Sequence, residues 1–324
     1  MNRPGMKVSF IIPLYNNLPL TQAMLASLRA TLPAGLAHEI ILADDGSTDG
    51  TREWLAGLGP PCRFLLNERN RGFAATCNRG AASAAGEFLF FLNNDLVLLP
   101  GWLEPMLAAF DRFPRAGLVG NVQLNHATGA VDHAGIYFNH QGKPAHLTTR
   151  WRGLFPYREA AAVTGACFGV RATLWRRLGG FDEGYVNGCE DMDLGLRAAE
   201  AGSINCVALR SVVRHHISAS AGRKLRDEQN TFRLVRRWHD RIAALAARDW
   251  SRRQIADHAE RSGAFDYALL GAVLRHLLLN PVPAPAPVRR GVEASMAVEW
   301  QRWRELLEQA PPLPPPPPAR TAEI

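Results

Sequence analysis

Nowhere in the 324 residues is there an apolar run long enough to cross a bilayer. The longest late run, Ala268 to Leu279, is broken by Arg275 and His276. The run near the start, in MNRPGMKVSFIIPLYNN, is short, interrupted by Pro13 and without a small-residue cleavage site, so a signal peptide is not expected. Cysteine is scarce: Cys62, Cys77, Cys167, Cys189 and Cys206 are odd in number, widely spaced and free of any C-x-x-C pair. That spacing argues against a disulfide frame or a structural zinc site and fits reduced thiols in a cytoplasm. The first apolar run ends in PLYNN rather than in G-x-G-x-x-G, which argues against a dinucleotide-dependent oxidoreductase. No internal repeat is visible.

What is present is an ordinary globular composition, 47% hydrophobic and 21% charged, in a chain long enough for one large domain and an appendage. The formal charge of +7 is moderate, and no nucleic-acid partner is expected. Basic residues concentrate between Arg210 and Arg241. This run reads as a solvated helix face, as a diphosphate grip near its start, or as a surface for peripheral membrane contact near its end.

The first half alternates strand and helix patterns. Lys7–Leu14 (KVSFIIPL) is a near-continuous apolar run with β-branched residues, the pattern of a strand buried on both faces. Helical spacing follows from Leu18 to Ala30 through Leu20, Met24, Leu25 and Leu28. The alternation continues with a strand at 39–43, a helix from Thr51, a strand at 63–66, a helix at about 72–85 and a strand at 87–92. Such units give a mostly parallel, Rossmann-like α/β sheet with helices on both faces and a ligand crevice at the carboxyl ends of the strands. After residue 115 the runs shorten, and a mixed sheet extension or hairpin is predicted. The expected organisation is a main domain over 1–224, a helical extension over 225–280, and over 281–324 a Pro-rich linker or tail with a short helical segment.

Three polar clusters fall at predicted strand or helix ends. Asp44–Thr51 (DDGSTDGT) reads as an N-cap and Asx-turn, or as a strand-end aspartate that accepts hydrogen bonds from a nucleobase. Phe88–Trp102 (FLFFLNNDLVLLPGW) runs an apolar strand into Asn93, Asn94 and Asp95. That is either a turn or a metal-diphosphate site, where one aspartate suffices because phosphate oxygens and waters complete the coordination. The third cluster crowds five carboxylates into residues 182–193, just after Gly179-Gly180. A helix macrodipole explains one or two of them. A carboxylate that takes a proton from an attacking hydroxyl is the functional alternative.

With these clusters in order, the chain resembles a family 2 glycosyltransferase of the GT-A fold, and among its members bacterial rhamnosyl- and galactofuranosyltransferases. The matching stretches are VSFIIPLYNN, EIILADDGSTDGT, NRGFAATCNRGAASAAGEFLFFLNNDLVLLPGWLEPM, VTGACFGVRATLWRRLGGFDEGYVNGCEDMDLGLRAAEAG and VRHHISAS. The resemblance implies an inverting transferase that moves a sugar from a UDP- or dTDP-sugar to a glycan or lipid-linked acceptor, in the cytoplasm or at the inner face of the membrane. Pro13 and Tyr15 would lie beside the nucleobase, Asp45 would read it, and Asn78 would shape the donor pocket. Asp95 matches the last acid of the D-x-D metal motif, whose first acid is replaced by Asn93, and Asn94 joins Asp95 in the donor-binding set. Mn²⁺ or Mg²⁺ is implied as cofactor. His215-His216 resembles the late histidine of the metal site, with His215 the better match by its distance from Ser220. Asp191 of the Glu190-Asp191 motif would be the catalytic base, with Glu190 and Asp193 orienting the loop or the acceptor. Arg214, Arg223 or Lys224 would neutralise the diphosphate. A scaffold of the same fold without turnover is the non-enzyme alternative, against which intact Asp95 and Asp191 argue. Oligomerisation is left open.

Overall fold

The computed structural model describes residues 7–149, 155–216, 223–260, 266–279 and 282–308. The described chain divides into two compact units, one of 7–136 with 146–223 and the other of 137–145 with 224–308.

The first unit is built on a ten-stranded mixed sheet. Its opening half runs β1 (Lys7–Leu14), α1 (Leu18–Thr31), β2 (Ala37–Asp44), α2 (Thr51–Ala56), β3 (Cys62–Leu66), α3 (Phe73–Ala82) and β4 (Phe88–Leu92). Strands β3, β2, β1 and β4 lie side by side and parallel. The chain continues through β5 (Leu96–Leu98), α4 (Leu103–Arg112), β6 (Ala116–Asn125), β7 (Val131–His133), β8 (Ile136–Phe138), β9 (Pro144–His146), β10 (Tyr157–Glu159), β11 (Cys167–Arg171), α5 (Ala172–Leu178), α6 (Glu190–Glu200) and β12 (Ile204–His215). β11 runs antiparallel between β4 and β6, and β12 lies beyond β6, so this half is the mixed extension expected after residue 115.

Each face of the sheet carries its own core. One gathers Phe10, Phe90 and Trp102 with Met24 and Leu28 of α1 and Met106 of α4. The other gathers Phe91, Phe168, Trp175 and Phe181, with Phe91 stacked on Phe168 at 4.8 Å. Two-sided burial explains why β1 and β4 read as unbroken apolar runs rather than alternating ones. All five cysteines are free and buried, and burial pushes the Cys167 thiol well above its ordinary value and that of Cys206 up to about 12.

β12 is the longest strand, and periodicity does not reveal it. Its register against β6 shifts between Ala208 and Val212, so the inward side chains change phase mid-strand and no single period fits INCVALRSVVRH.

The second unit holds α7 (Arg223–Arg237), α8 (His239–Glu260), α9 (Tyr267–Leu278) and α10 (Ala286–Glu308). The segment expected to be a linker with a short helical piece carries the 23-residue α10. Its only helical proline, Pro287, falls in the first turn, where a missing N–H breaks no intrahelical bond. Val288, Val292, Met296, Glu299 and Trp303 are buried along one side of it, and Gly291 lies so close to the Trp250 indole that a Cβ there would collide with it. Glu228 receives the Trp303 Nε1–H at 2.6 Å and pairs with Arg302 at 2.5 Å. The PPLPPPPPAR tail lies outside the described residues. No described helix is long and apolar enough to cross a membrane.

Candidate active site

Because β2, β1 and β4 are parallel neighbours in register, the polar clusters after each strand meet at one edge of the sheet. Tyr15 is 51% exposed there, while Pro13 is buried in β1. Asn16 and Asn17 take left-handed backbone (φ 56° and 57°), a conformation asparagine tolerates. The Asn16 side chain accepts from the Thr48 N–H at 2.8 Å, and its own N–H donates to Ser47 Oγ at 2.8 Å, so the first two strand-end loops clasp each other.

The two aspartates of the second cluster divide the work. Asp44, fully buried, pairs with Arg52 at 2.8 Å and accepts from the Gly46 and Ser47 N–H groups. Asp45 accepts at Oδ1 from Asn67 Nδ2 and Arg71 N, both at 2.8 Å, and at Oδ2 from Gly72 N at 2.9 Å. The proposed nucleobase reader thus also pins the 67–72 loop. Asn67 opens the polar stretch NERNRG directly after β3 and carries the same signal as the others, a polar cluster at a strand end. Gly46 has φ +86°, and a Cβ on it would sit 2.8 Å from the backbone of Arg69 and Asn70. Gly46→Ala is therefore expected to lower stability by at least ~1–2 kcal/mol, the cost of left-handed backbone alone. Urea unfolding of the variant checks this.

At the third cluster Asn94 donates to Thr21 Oγ1 at 2.9 Å, shaping the turn, and leaves Asp95 as the candidate metal ligand. β5 pairs antiparallel with β12, setting Leu96 opposite His215. The result places His215 Nε2 3.2 Å from Asp95 Oδ1. Asp95 Oδ1 and His215 Nδ1 are both buried without a hydrogen-bond partner. A carboxylate oxygen facing an imidazole Nε2, with an unsatisfied atom on each side chain, fits a divalent cation such as Mn²⁺, for which both are suitable donors. No group of three or more His, Cys, Asp or Glu side chains that could hold a metal occurs among the described residues. Two protein ligands are what a diphosphate-bound ion requires. The His216 ring stacks on His126 at 3.7 Å, and its pKa is lowered by burial and by that neighbour, with Asp95 acting in the opposite direction.

Asp191 lies in the first turn of α6, which follows a turn with left-handed Asn187 and Cys189. Its carboxylate accepts from Gly165 N at 2.7 Å and from Met192 N at 2.8 Å. Burial raises its pKa above the ordinary aspartate value, while these two bonds and His146 act in the opposite direction. The residue as a whole is half-buried. The flanking acids face inward. Glu190 accepts from Gly188 N at 2.7 Å, and Asp193, fully buried, pairs with Arg197 at 2.7 Å. Asn78 likewise clamps a loop, accepting from Phe181 N and donating to Phe181 O and Glu183. Arg214 lies in β12, half-buried, whereas the side chains of Arg223 and Lys224 fall outside the described residues.

The Asp95 and Asp191 clusters are joined by two adjacent residues. The Asn93 N–H bonds the Ala166 carbonyl at 2.8 Å, and the Gly165 N–H bonds Asp191.

Comparison with known proteins places these features in a family. The model described as Glycosyl transferase family 2 matches residues 9–176. The N-acetylglucosaminyl-diphospho-decaprenol L-rhamnosyltransferase of Mycobacterium tuberculosis is 31% identical over 235 residues, covering 64% of this chain and 76% of its own. The uncharacterized protein y4gI of Sinorhizobium fredii is 30% identical over 255 residues; the match takes in 72% of this chain, which spans only 28% of that protein. Among solved structures, GalNAc-T7 with UDP, GalNAc and Mn²⁺ superposes with a TM-score of 0.61 at 17% identity, over 83% of this chain and 54% of that one.

Proposed function

The chain belongs to glycosyl transferase family 2 and has the GT-A fold, and from that premise we propose that it is an inverting, metal-dependent transferase acting on a nucleotide-diphosphate sugar. The donor is a UDP- or dTDP-sugar, and the acceptor a hydroxyl of a glycan or lipid-linked glycan used in cell-surface polysaccharide synthesis. The observation that carries this reading is the two-residue link between the clusters: residues 165–166 hold the metal-ligand turn through Asn93 and the Asp191 carboxylate through Gly165.

In the proposed reaction Tyr15 and Asp45 flank the base, and Asp95 with His215 would hold the metal against the diphosphate. A divalent ion, when bound, supplies Lewis-acid neutralisation of the leaving diphosphate. Asp191 takes the proton of the acceptor hydroxyl as that oxygen bonds to the anomeric carbon. The bond from that carbon to the diphosphate oxygen breaks, the nucleoside diphosphate leaves with the electron pair, and the configuration inverts. The raised pKa of Asp191 suits this role, since a stronger base accepts the proton more readily. Support for a lipid-linked acceptor comes from the mycobacterial relative, named for transfer to a diphospho-decaprenol carrier. Support for Mn²⁺ comes from the structural neighbour that contains it. A lipid-linked acceptor would be met at the inner membrane face.

Thermal denaturation across a panel of nucleotide-sugars, with and without Mn²⁺, tests the reading. A ligand present at about 100 times its dissociation constant adds about 2.7 kcal/mol, so one UDP- or dTDP-sugar is expected to raise the melting temperature by several degrees in a Mn²⁺-dependent way. A flat panel overturns it.

A further inference from the structure

The proposed function leaves unassigned what holds the acceptor beside Asp191. Two histidines that the motifs do not account for lie in the hairpin region. His133, in β7, is buried. It pairs in register with Gln123 of β6. Its Nδ1 accepts from the Gly135 N–H at 3.3 Å, and its Nε2 is buried with no hydrogen-bond partner. Burial holds it neutral, with a pKa lowered to about 3. The ring of His146 packs edge-on against it, with centroids 4.8 Å apart and planes at 77°. His146 is itself exposed, and its ring nitrogens make no hydrogen bond among the described residues.

Backbone hydrogen bonds connect the segment that carries this exposed imidazole to the one that holds the base. Leu147, the next residue, exchanges hydrogen bonds with the 134–135 segment: Ala134 N to Leu147 O at 2.7 Å, and Leu147 N to Gly135 O at 2.8 Å. Arg158 ties the same segments from a third strand, donating to the Ala134 and Thr149 carbonyls. Ile136 then bridges to Ala162 through N–H to carbonyl bonds in both directions, with Ala161 donating the second. Three residues past Ala162, the Gly165 N–H holds Asp191. His146 is thus tied through a run of backbone hydrogen bonds to the segment that positions the base, and it is among the groups that act electrostatically on the Asp191 carboxylate.

We infer that His146 is an acceptor-binding residue, whose imidazole hydrogen-bonds a sugar hydroxyl of the acceptor next to the hydroxyl that Asp191 deprotonates. An exposed, rigidly backed imidazole with both nitrogens unused can donate to one hydroxyl or accept from it. The ligand class is a pyranosyl glycan with vicinal hydroxyls, free or lipid-linked. This inference rests on the transferase reading above.

The test uses the full chain in the presence of UDP and Mn²⁺, with wild type, His146→Ala and His146→Asn each probed on an array of surface-linked glycans, and nucleotide affinity measured in parallel. The expected result is that the wild type retains a subset of glycans, that His146→Ala loses ~2–10-fold in that retention, the worth of one hydrogen bond to a ligand, and that His146→Asn recovers part of it. Nucleotide affinity is expected to be the same in all three. Equal retention by His146→Ala overturns the assignment, as does a wild type that binds nucleotide but retains no glycan. A wild type that binds no nucleotide instead sinks the transferase reading, and this inference with it.

Discussion

Asp191→Asn is expected to lower sugar transfer by ~10²–10⁴-fold, the usual contribution of a positioned general base, while nucleotide-sugar binding stays within a few fold of wild type. Asparagine keeps the shape of the side chain and one carbonyl oxygen to accept the Gly165 N–H, so the 165–166 link to the Asn93 turn survives the change. What it removes is the proton acceptor. The wild-type pH profile carries the same information with a definite sign. The base works only when ionised, and burial raises its pKa above the ordinary aspartate value. Transfer should therefore fall as pH drops through that raised value, earlier on acidification than an unperturbed aspartate would permit. Donor titration by calorimetry, single-turnover transfer and the pH-rate profile check each part. Unchanged transfer in the variant removes Asp191 from the role of base.

Asp95→Ala should act on the other substrate. Asp95 and His215 supply an oxygen and a nitrogen 3.2 Å apart, with unsatisfied atoms on both side chains. Removal of a metal ligand is expected to exceed the ~10–100-fold loss of metal affinity that follows loss of an outer-shell partner. The predicted signature is loss of the Mn²⁺-dependent part of nucleoside-diphosphate affinity, with the metal-independent part, from the loops around Tyr15 and Asp45, retained. His215→Ala should behave alike. His216→Ala should retain Mn²⁺ dependence, because its ring is stacked on His126, whereas it is His215 that pairs with Asp95. Metal-dependent affinity that persists in Asp95→Ala contradicts the assignment.

The legible parts of this molecule are the local ones. Apolar runs predicted Lys7–Leu14, helical spacing predicted the helix found at Leu18–Thr31, and the strand-end clusters 15–17, 44–45 and 93–95 do meet at one edge. Each depends on residues close in the sequence. The meeting of Asp95 with His215 depends instead on an antiparallel pairing between a three-residue strand and the end of a bulged one, 120 residues apart in the sequence. Neither strand has a clean period, so only the family resemblance brought His215 forward. Gly165 and His146 had no sequence signal, since one contributes a backbone N–H and the other is a lone histidine in a region of short strands. The crowding of acids at 182–193 was visible, but its division was not: Glu190 and Asp193 turn inward to a loop amide and an arginine, whereas Asp182 and Asp191 are half-buried and Glu183 is exposed.

The excursion of 137–145 into the helical unit has a practical corollary for anyone wishing to shorten this protein. Lys143 pairs with Glu299 at 2.7 Å, Gln141 donates to the same glutamate, and the His140 N–H bonds Asp249, so this stretch takes its partners from helices more than 100 residues downstream. A fragment ending at 223 would look like a tidy catalytic domain on paper, yet it would sever a loop from its anchors a few residues from His146. Trimming the carboxyl-terminal helices is thus a cut into the middle of the chain as well as at its end.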